Sequence, residues 1–203
     1  MPIFREAKWN PYSSATFETP VRKLPFLAFL FGGVMGESKS NIVLIGMPGA
    51  GKSTLGVVLA KILNKHFVDA DLLIQNQCDK TLQKIIDAMG PEGFIAVENE
   101  VLSEIEANNT VIATGGSAVY SDTAMKHLAE IGTIVYLEIS FESLVARLSD
   151  LDERGVVLKG GVSMSLRDLY EEREPLYRRY ADIVVNIDDL SITAAARKVA
   201  SAL

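Results

Sequence analysis

The chain of 203 residues predicts an α/β fold of three layers, a five-stranded parallel sheet with helices on both faces. Two observations predict it. Short runs that are apolar on both faces recur at 42–45, 66–69, 111–113, 134–137 and 183–187, the pattern of strands covered above and below. Segments of helical period separate them, among them 55–63, 94–107 and 141–148, as parallel crossovers require.

The order of elements follows from local chemistry. The first strand run ends at Gly46 and a glycine-bearing loop leads into the helix at 55–63. The second strand run closes on Asp69, Ala70 and Asp71, and the third on Thr114, Gly115 and Gly116. Ser165 and Asp168 have the spacing of a capping box and open a helix running towards Arg179, in which Pro175 predicts a kink or local break. The polar, glycine-bearing segment 150–163 lacks any period and is a candidate lid, although most such stretches are surface loops.

Residues 1–39 read differently. Pro2, Pro11, Pro20 and Pro25 punctuate a stretch with no sustained period, so a packed core is not expected there. This segment is read as a disordered or dispensable extension, with Met35 as an alternative start and the catalytic domain over 40–203. A mature terminus near Met1, found by mass spectrometry of the natural protein, would refute the alternative start.

Composition narrows the function. Hydrophobic residues at 48% and charged residues at 23% are ordinary for one globular domain. A net charge of −6 argues against nucleic acid as partner, because a phosphate backbone needs a dense basic face. The longest apolar run, 25–35, is shorter than a membrane span of about 20 residues. Cys78 is the only cysteine, so no internal disulfide forms, a reducing cytoplasmic compartment is expected, and the thiol reads as packing. A monomer is the expected state.

Gly46, Gly51, Lys52 and Ser53 occupy every fixed position of the G-x-x-x-x-G-K-[ST] phosphate-binding loop, between a strand and a helix. Such a loop turns backbone N–H groups inward around phosphates at a helix N-terminus. Gly49, Ala50, Gly51, Lys52, Ser53 and Thr54 are therefore read as binding ATP, with Lys52 reaching the β- and γ-phosphates and the Ser53 hydroxyl ligating Mg²⁺. Asp71 could orient or deprotonate an attacking hydroxyl and Asp69 could hold water around Mg²⁺, or one of the two caps the following helix. Gly115 and Gly116 allow close approach to a ligand, or simply a tight turn.

Together these residues resemble the shikimate kinase family over 41–187. The matching text is GMPGAGKST at 46–54, FVDAD at 67–71, GPEGF at 90–94, Glu98, ATGG at 113–116, Arg154, and REPLY with YAD within 173–182. The resemblance implies the fold of P-loop nucleoside-monophosphate kinases and transfer of a phosphoryl group from ATP, with Mg²⁺, to shikimate, giving shikimate 3-phosphate for aromatic amino-acid biosynthesis. It implies Asp71 as binder of the substrate hydroxyls and base, and Gly115 and Gly116 at the substrate. It further implies Arg173 on the substrate carboxylate and Arg154 reaching the phosphates from the lid. Arg147 looks like the residue against adenine, the alternative being a solvated helix arginine.

The substrate side departs from the family. Ile95 stands where the family has an arginine for the carboxylate, and losing such a charged hydrogen bond costs about 1.5–3 kcal/mol. Glu98, which supports that arginine in the family, is expected to be solvated or paired with a Lys or Arg elsewhere. Otherwise it faces the pocket and favours an ammonium group or extra hydroxyls. Ser117 replaces a glycine, and Gly155, Val156 and Val157 follow Arg154 where a proline and leucines are usual. These departures keep open a different hydroxy acid, amino alcohol or sugar acid as acceptor. A non-catalytic ATP-binding module is the remaining alternative, opposed by retention of Lys52, Ser53, Asp71 and Arg154. Nucleotide acceptors fit poorly, since a second phosphate calls for converging arginines where this chain offers carboxylates.

Overall fold

The computed structural model describes residues 39–149 and 165–203. The leader over 1–38, the candidate lid 150–163 and Arg154 with its following Gly155, Val156 and Val157 lie outside them.

The chain runs β1 (Asn41–Ile45), α1 (Lys52–Leu63), β2 (His66–Asp69), α2 (Ala70–Cys78), α3 (Leu82–Ser103), β3 (Thr110–Ala113), a 3₁₀ turn (Ala118–Tyr120) and α4 (Asp122–Ile131). It continues through β4 (Gly132–Glu138), α5 (Phe141–Ser149), α6 (Leu166–Tyr180), β5 (Ile183–Asn186) and α7 (Ile192–Ala202). The five strands form one sheet in the order β2-β3-β1-β4-β5, and every pairing is parallel. β1 and β3 are buried along their whole length. The edge strands β2 and β5 bury only Val68 and Val185, because an edge is shielded by a neighbour on one side alone.

The order reverses at β1: the chain moves outward to β2, returns through β3, then crosses to β4 on the other side. Loops leaving β1 and β3 therefore part there, and the crevice beyond their carboxyl ends is where such sheets bind ligands. Both glycine-bearing loops predicted from sequence issue from this place.

Three helices refine the expectations. α3 begins at Leu82 and ends at Ser103, earlier at both ends than the predicted 94–107. Gly90, at φ 72° and ψ 174°, breaks it, and Pro91 restarts it. A proline loses nothing at the first position of a helix, where its N–H would have no partner. α6 carries the predicted capping box, with Ser165 and Asp168 bonded reciprocally, yet it runs without a break through Pro175. Its buried face of Leu169, Arg173 and Tyr177 holds it against the sheet on both sides of the proline. α7, closing the chain against α1, is capped by the Ser191 side chain.

The core has two parts. The larger is the sheet with its flanking helices. The smaller, built on Ile74, Ile85, Phe94, Val97 and Val101, joins α2 to α3, and Cys78 and Ile95 lean on it half-buried. This helix pair contributes no strand to the sheet.

Candidate active site

The loop between β1 and α1 is wrapped around its own lysine. Gly51 is the N-cap of α1 at φ 92° and ψ 19°, left-handed geometry that strains any residue with a Cβ. A glycine there also brings no capping side chain, so the first N–H groups of α1 remain available to an anion. Lys52 is 7% exposed, and its Nζ donates to Gly46 O at 2.8 Å and to Met47 O at 3.0 Å. Burial pulls its pKa down to about 8; Asp71 is the largest opposing influence, Arg173 pulls the same way as burial, and Glu98 and Asp69 oppose it. Ser53 is half-buried in the first turn of α1 and Thr54 is exposed.

The two carboxylates of the Asp69-Ala70-Asp71 segment divide their work. Asp69 caps α2, its Oδ1 accepting from Asp71 N at 3.0 Å and Leu72 N at 3.4 Å. Asp71, one turn into the site, is left to act on Lys52 and Glu98. The Thr114–Gly116 loop forms the floor between them. A Cβ on Gly115 would overlap Glu98 Oε1 and lie 3.0 Å from Asp71 Oδ1, so both carboxyls converge over this glycine. A Cβ on Gly116 would meet the Pro48 ring at 2.8 Å and Arg173 Nη1 at 3.1 Å, which sets the phosphate loop and the guanidinium over the neighbouring position.

Arg173 is fully buried. Its Nε donates to Tyr120 Oη at 3.1 Å and its guanidinium stands 4.9 Å from the centre of that ring. One turn later on α6, Tyr177 donates to Gly116 O at 2.6 Å, pinning the floor. Burying a guanidinium is costly without polar partners, and the Tyr120 hydroxyl and ring are two that it meets here. Tyr120, Tyr177 and Pro48 were given no role from the sequence. Tyr177 was legible there only as the residue four after Arg173, on the same helical face.

Glu98 overturns one expectation. It is 1% exposed and so not solvated, it forms no salt bridge with a lysine or arginine among the described residues, and its Oε2 accepts from Ser117 Oγ at 2.5 Å. Burial raises its pKa to about 7, and the Ser117 hydrogen bond opposes that rise. Arg147 is likewise no solvated helix residue: it donates to Ala50 O at 3.2 Å and Ile187 O at 3.1 Å, tying α5 to the back of the phosphate loop.

The donor set suits Mg²⁺ arriving with a nucleotide. Mg²⁺ keeps several waters and binds through phosphate oxygens with one or two protein oxygens. The described residues hold no group of three His, Cys, Asp or Glu side chains fit for a metal. Ser53, half-buried in the first turn of α1, and Asp69, whose Oδ1 caps α2, are the oxygen donors that the sequence offers to such an ion.

An alanine at Gly115 tests the floor. We expect Gly115→Ala to lower kcat/KM for the acceptor about 5- to 140-fold, from an overpacking cost of about 1–3 kcal/mol. Affinity for a non-hydrolysable ATP analogue should remain, measured by calorimetry on the same preparation.

Residues 48–203 match the family model described as shikimate kinase. The chain belongs to the shikimate kinase family. The shikimate kinase of Francisella tularensis subsp. holarctica is 40% identical over 165 residues, covering 80% of this chain and 94% of that one. Among solved structures, shikimate kinase from Acinetobacter baumannii in complex with shikimate aligns with TM-score 0.72 at 32% identity, over 79% of this chain and 90% of that one. Shikimate kinase from Aquifex aeolicus aligns with TM-score 0.64 at 32% identity, over 79% and 94%. The predicted α/β fold and the family reading from 41–187 are thereby borne out, and the family's reaction class is ATP-dependent phosphoryl transfer to an alcohol. Among the described residues no helix is long and apolar enough to cross a membrane.

Proposed function

We propose that this chain phosphorylates the 3-hydroxyl of shikimate at the expense of ATP. The observation that carries the reading is the convergence of Asp71 and Arg173 over Gly115 and Gly116, beside the Lys52 loop. An acceptor that is both a polyol and an acid needs a carboxylate at one end and a cation at the other. The floor places those two groups over adjacent residues.

Each side chain then has a task. The N–H groups of Gly49, Ala50, Gly51 and the start of α1 receive phosphate oxygens, and Lys52 exchanges its bonds to Gly46 O and Met47 O for the transferred group. Ser53 and Asp69 would hold Mg²⁺ arriving with ATP, which would supply neutralising charge on the phosphates. Asp71 accepts the proton of the attacking hydroxyl, and Arg173, already oriented by Tyr120, holds the carboxylate. Arg147 braces the loop from the adenine side. Positioning and charge neutralisation account for the acceleration, as phosphoryl transfer asks little else of a protein.

Ile95 leaves Arg173 as the cation for the carboxylate among the residues on this floor, while its own side chain packs on the second apolar cluster. An Ile95→Arg variant should lower KM for shikimate roughly tenfold, the value of one restored charged hydrogen bond of about 1.5 kcal/mol. The arginine stem can still cover the cluster while the head reaches the pocket. A coupled ADP-release assay over shikimate, quinate, gluconate and homoserine checks both points. Wild type should prefer shikimate; a wild type that prefers another acceptor, with shikimate turnover appearing only in Ile95→Arg, would overturn the reading.

A further inference from the structure

One carboxyl oxygen in the acceptor site is buried without a partner. Glu98 Oε2 is taken by Ser117 Oγ, whereas Oε1 is sequestered and receives no hydrogen bond among the described residues. Its direction is known, because a Cβ on Gly115 would overlap it and would also approach Asp71 Oδ1. The free oxygen thus points at the floor where the acceptor hydroxyls lie. Burying a polar atom unsatisfied costs free energy that a ligand hydrogen bond would recover.

Two substitutions meet at this atom. Ile95 withdraws into the apolar cluster, so no guanidinium from that position engages Glu98. Ser117 brings a hydroxyl instead, fully buried, and locks the far oxygen. A residue that buttresses an arginine in the family here directs a buried, unpartnered oxygen at the floor of the pocket.

We propose that Glu98 is a further specificity-determining residue of this site, with Ser117 as its positioning residue: held through Oε2, it hydrogen-bonds through Oε1 to a second acceptor hydroxyl, next to the one Asp71 engages. This rests on the acceptor reading above. The protonation state follows from the surroundings. Burial and the neighbouring Asp71 raise the Glu98 pKa to about 7, while Ser117, Arg173 and Lys52 lower it, and Tyr177 also faces it from α6. Because Ser117 donates to Oε2, the carboxyl proton resides on Oε1, which makes Oε1 a donor to the hydroxyl oxygen.

The test uses shikimate and two analogues, each lacking one of the non-reacting hydroxyls. Wild type should favour shikimate over one analogue by at least about tenfold in kcat/KM, the smallest penalty for leaving a buried polar group unpaired. In Glu98→Ala that ratio should fall to near unity with KM for ATP unchanged, and Glu98→Gln, whose amide can also donate, should restore it. Ser117→Ala should raise the shikimate KM and reduce the ratio part-way. Between pH 6 and 7.5, below the range in which Lys52 loses its proton, the wild-type shikimate KM should climb as Glu98 ionises, whereas Glu98→Gln stays flat; this arm decides the matter if Glu98→Ala does not fold. Wild-type discrimination retained in Glu98→Ala, or a Glu98→Gln profile that climbs like wild type, overturns the proposal alone. Failure of wild type to turn over shikimate overturns the acceptor reading itself and the proposal with it.

Discussion

Asp71→Asn slows transfer to the acceptor about 10²–10⁴-fold, the range removed with a general base. The asparagine keeps the shape and the position in the first turn of α2, whose cap is Asp69 and not the replaced residue. Folding should therefore survive, and so should nucleotide binding, since the phosphate loop is built from other residues. What disappears is the proton acceptor over Gly115 and the largest attraction holding a proton on Lys52. Single-turnover ADP formation with shikimate, set beside calorimetric binding of an ATP analogue, separates the two steps. Transfer within fivefold of wild type would remove Asp71 from the chemistry.

Lys52→Met has the second large effect, a loss in kcat/KM of about 10³-fold or more, as when a preorganised donor to the transferred charge is deleted. The expected change in stability is much smaller. Burial disfavours the ammonium, as its lowered pKa records, and methionine fills the space with a flexible apolar chain. Against that, Gly46 O and Met47 O lose their donor, so the two contributions largely cancel. Thermal melting should shift by only a few degrees while turnover collapses. A melting point that falls together with activity would mean the lysine chiefly holds the loop, and the catalytic assignment would fail.

The site is only partly local in origin, which explains what could be read beforehand. The phosphate loop was legible because its requirements are backbone requirements: a left-handed Gly51, a helix start directly after it, a strand directly before. The Ser165–Asp168 capping box was legible for the same reason, each partner lying within one turn of the other. The Asp69–Asp71 pair stood halfway. Its spacing allowed two working carboxylates or a cap for the following helix, and only the bond from Asp71 N to Asp69 Oδ1 identified Asp69 as the cap.

By itself, then, the sequence determined the parallel sheet, the anion cradle and the residue types offered to the acceptor, since these depend on periodicity, dihedral preference and short-range hydrogen bonds. The folded chain alone decided how those residues pair. Ser117 reaches Glu98 across 19 positions and Arg147 reaches Ala50 across 97, while Ile95 turns to the cluster between α2 and α3. A charged side chain chooses its partner by where burial brings it, and burial is a property of the assembled layers that no local window contains.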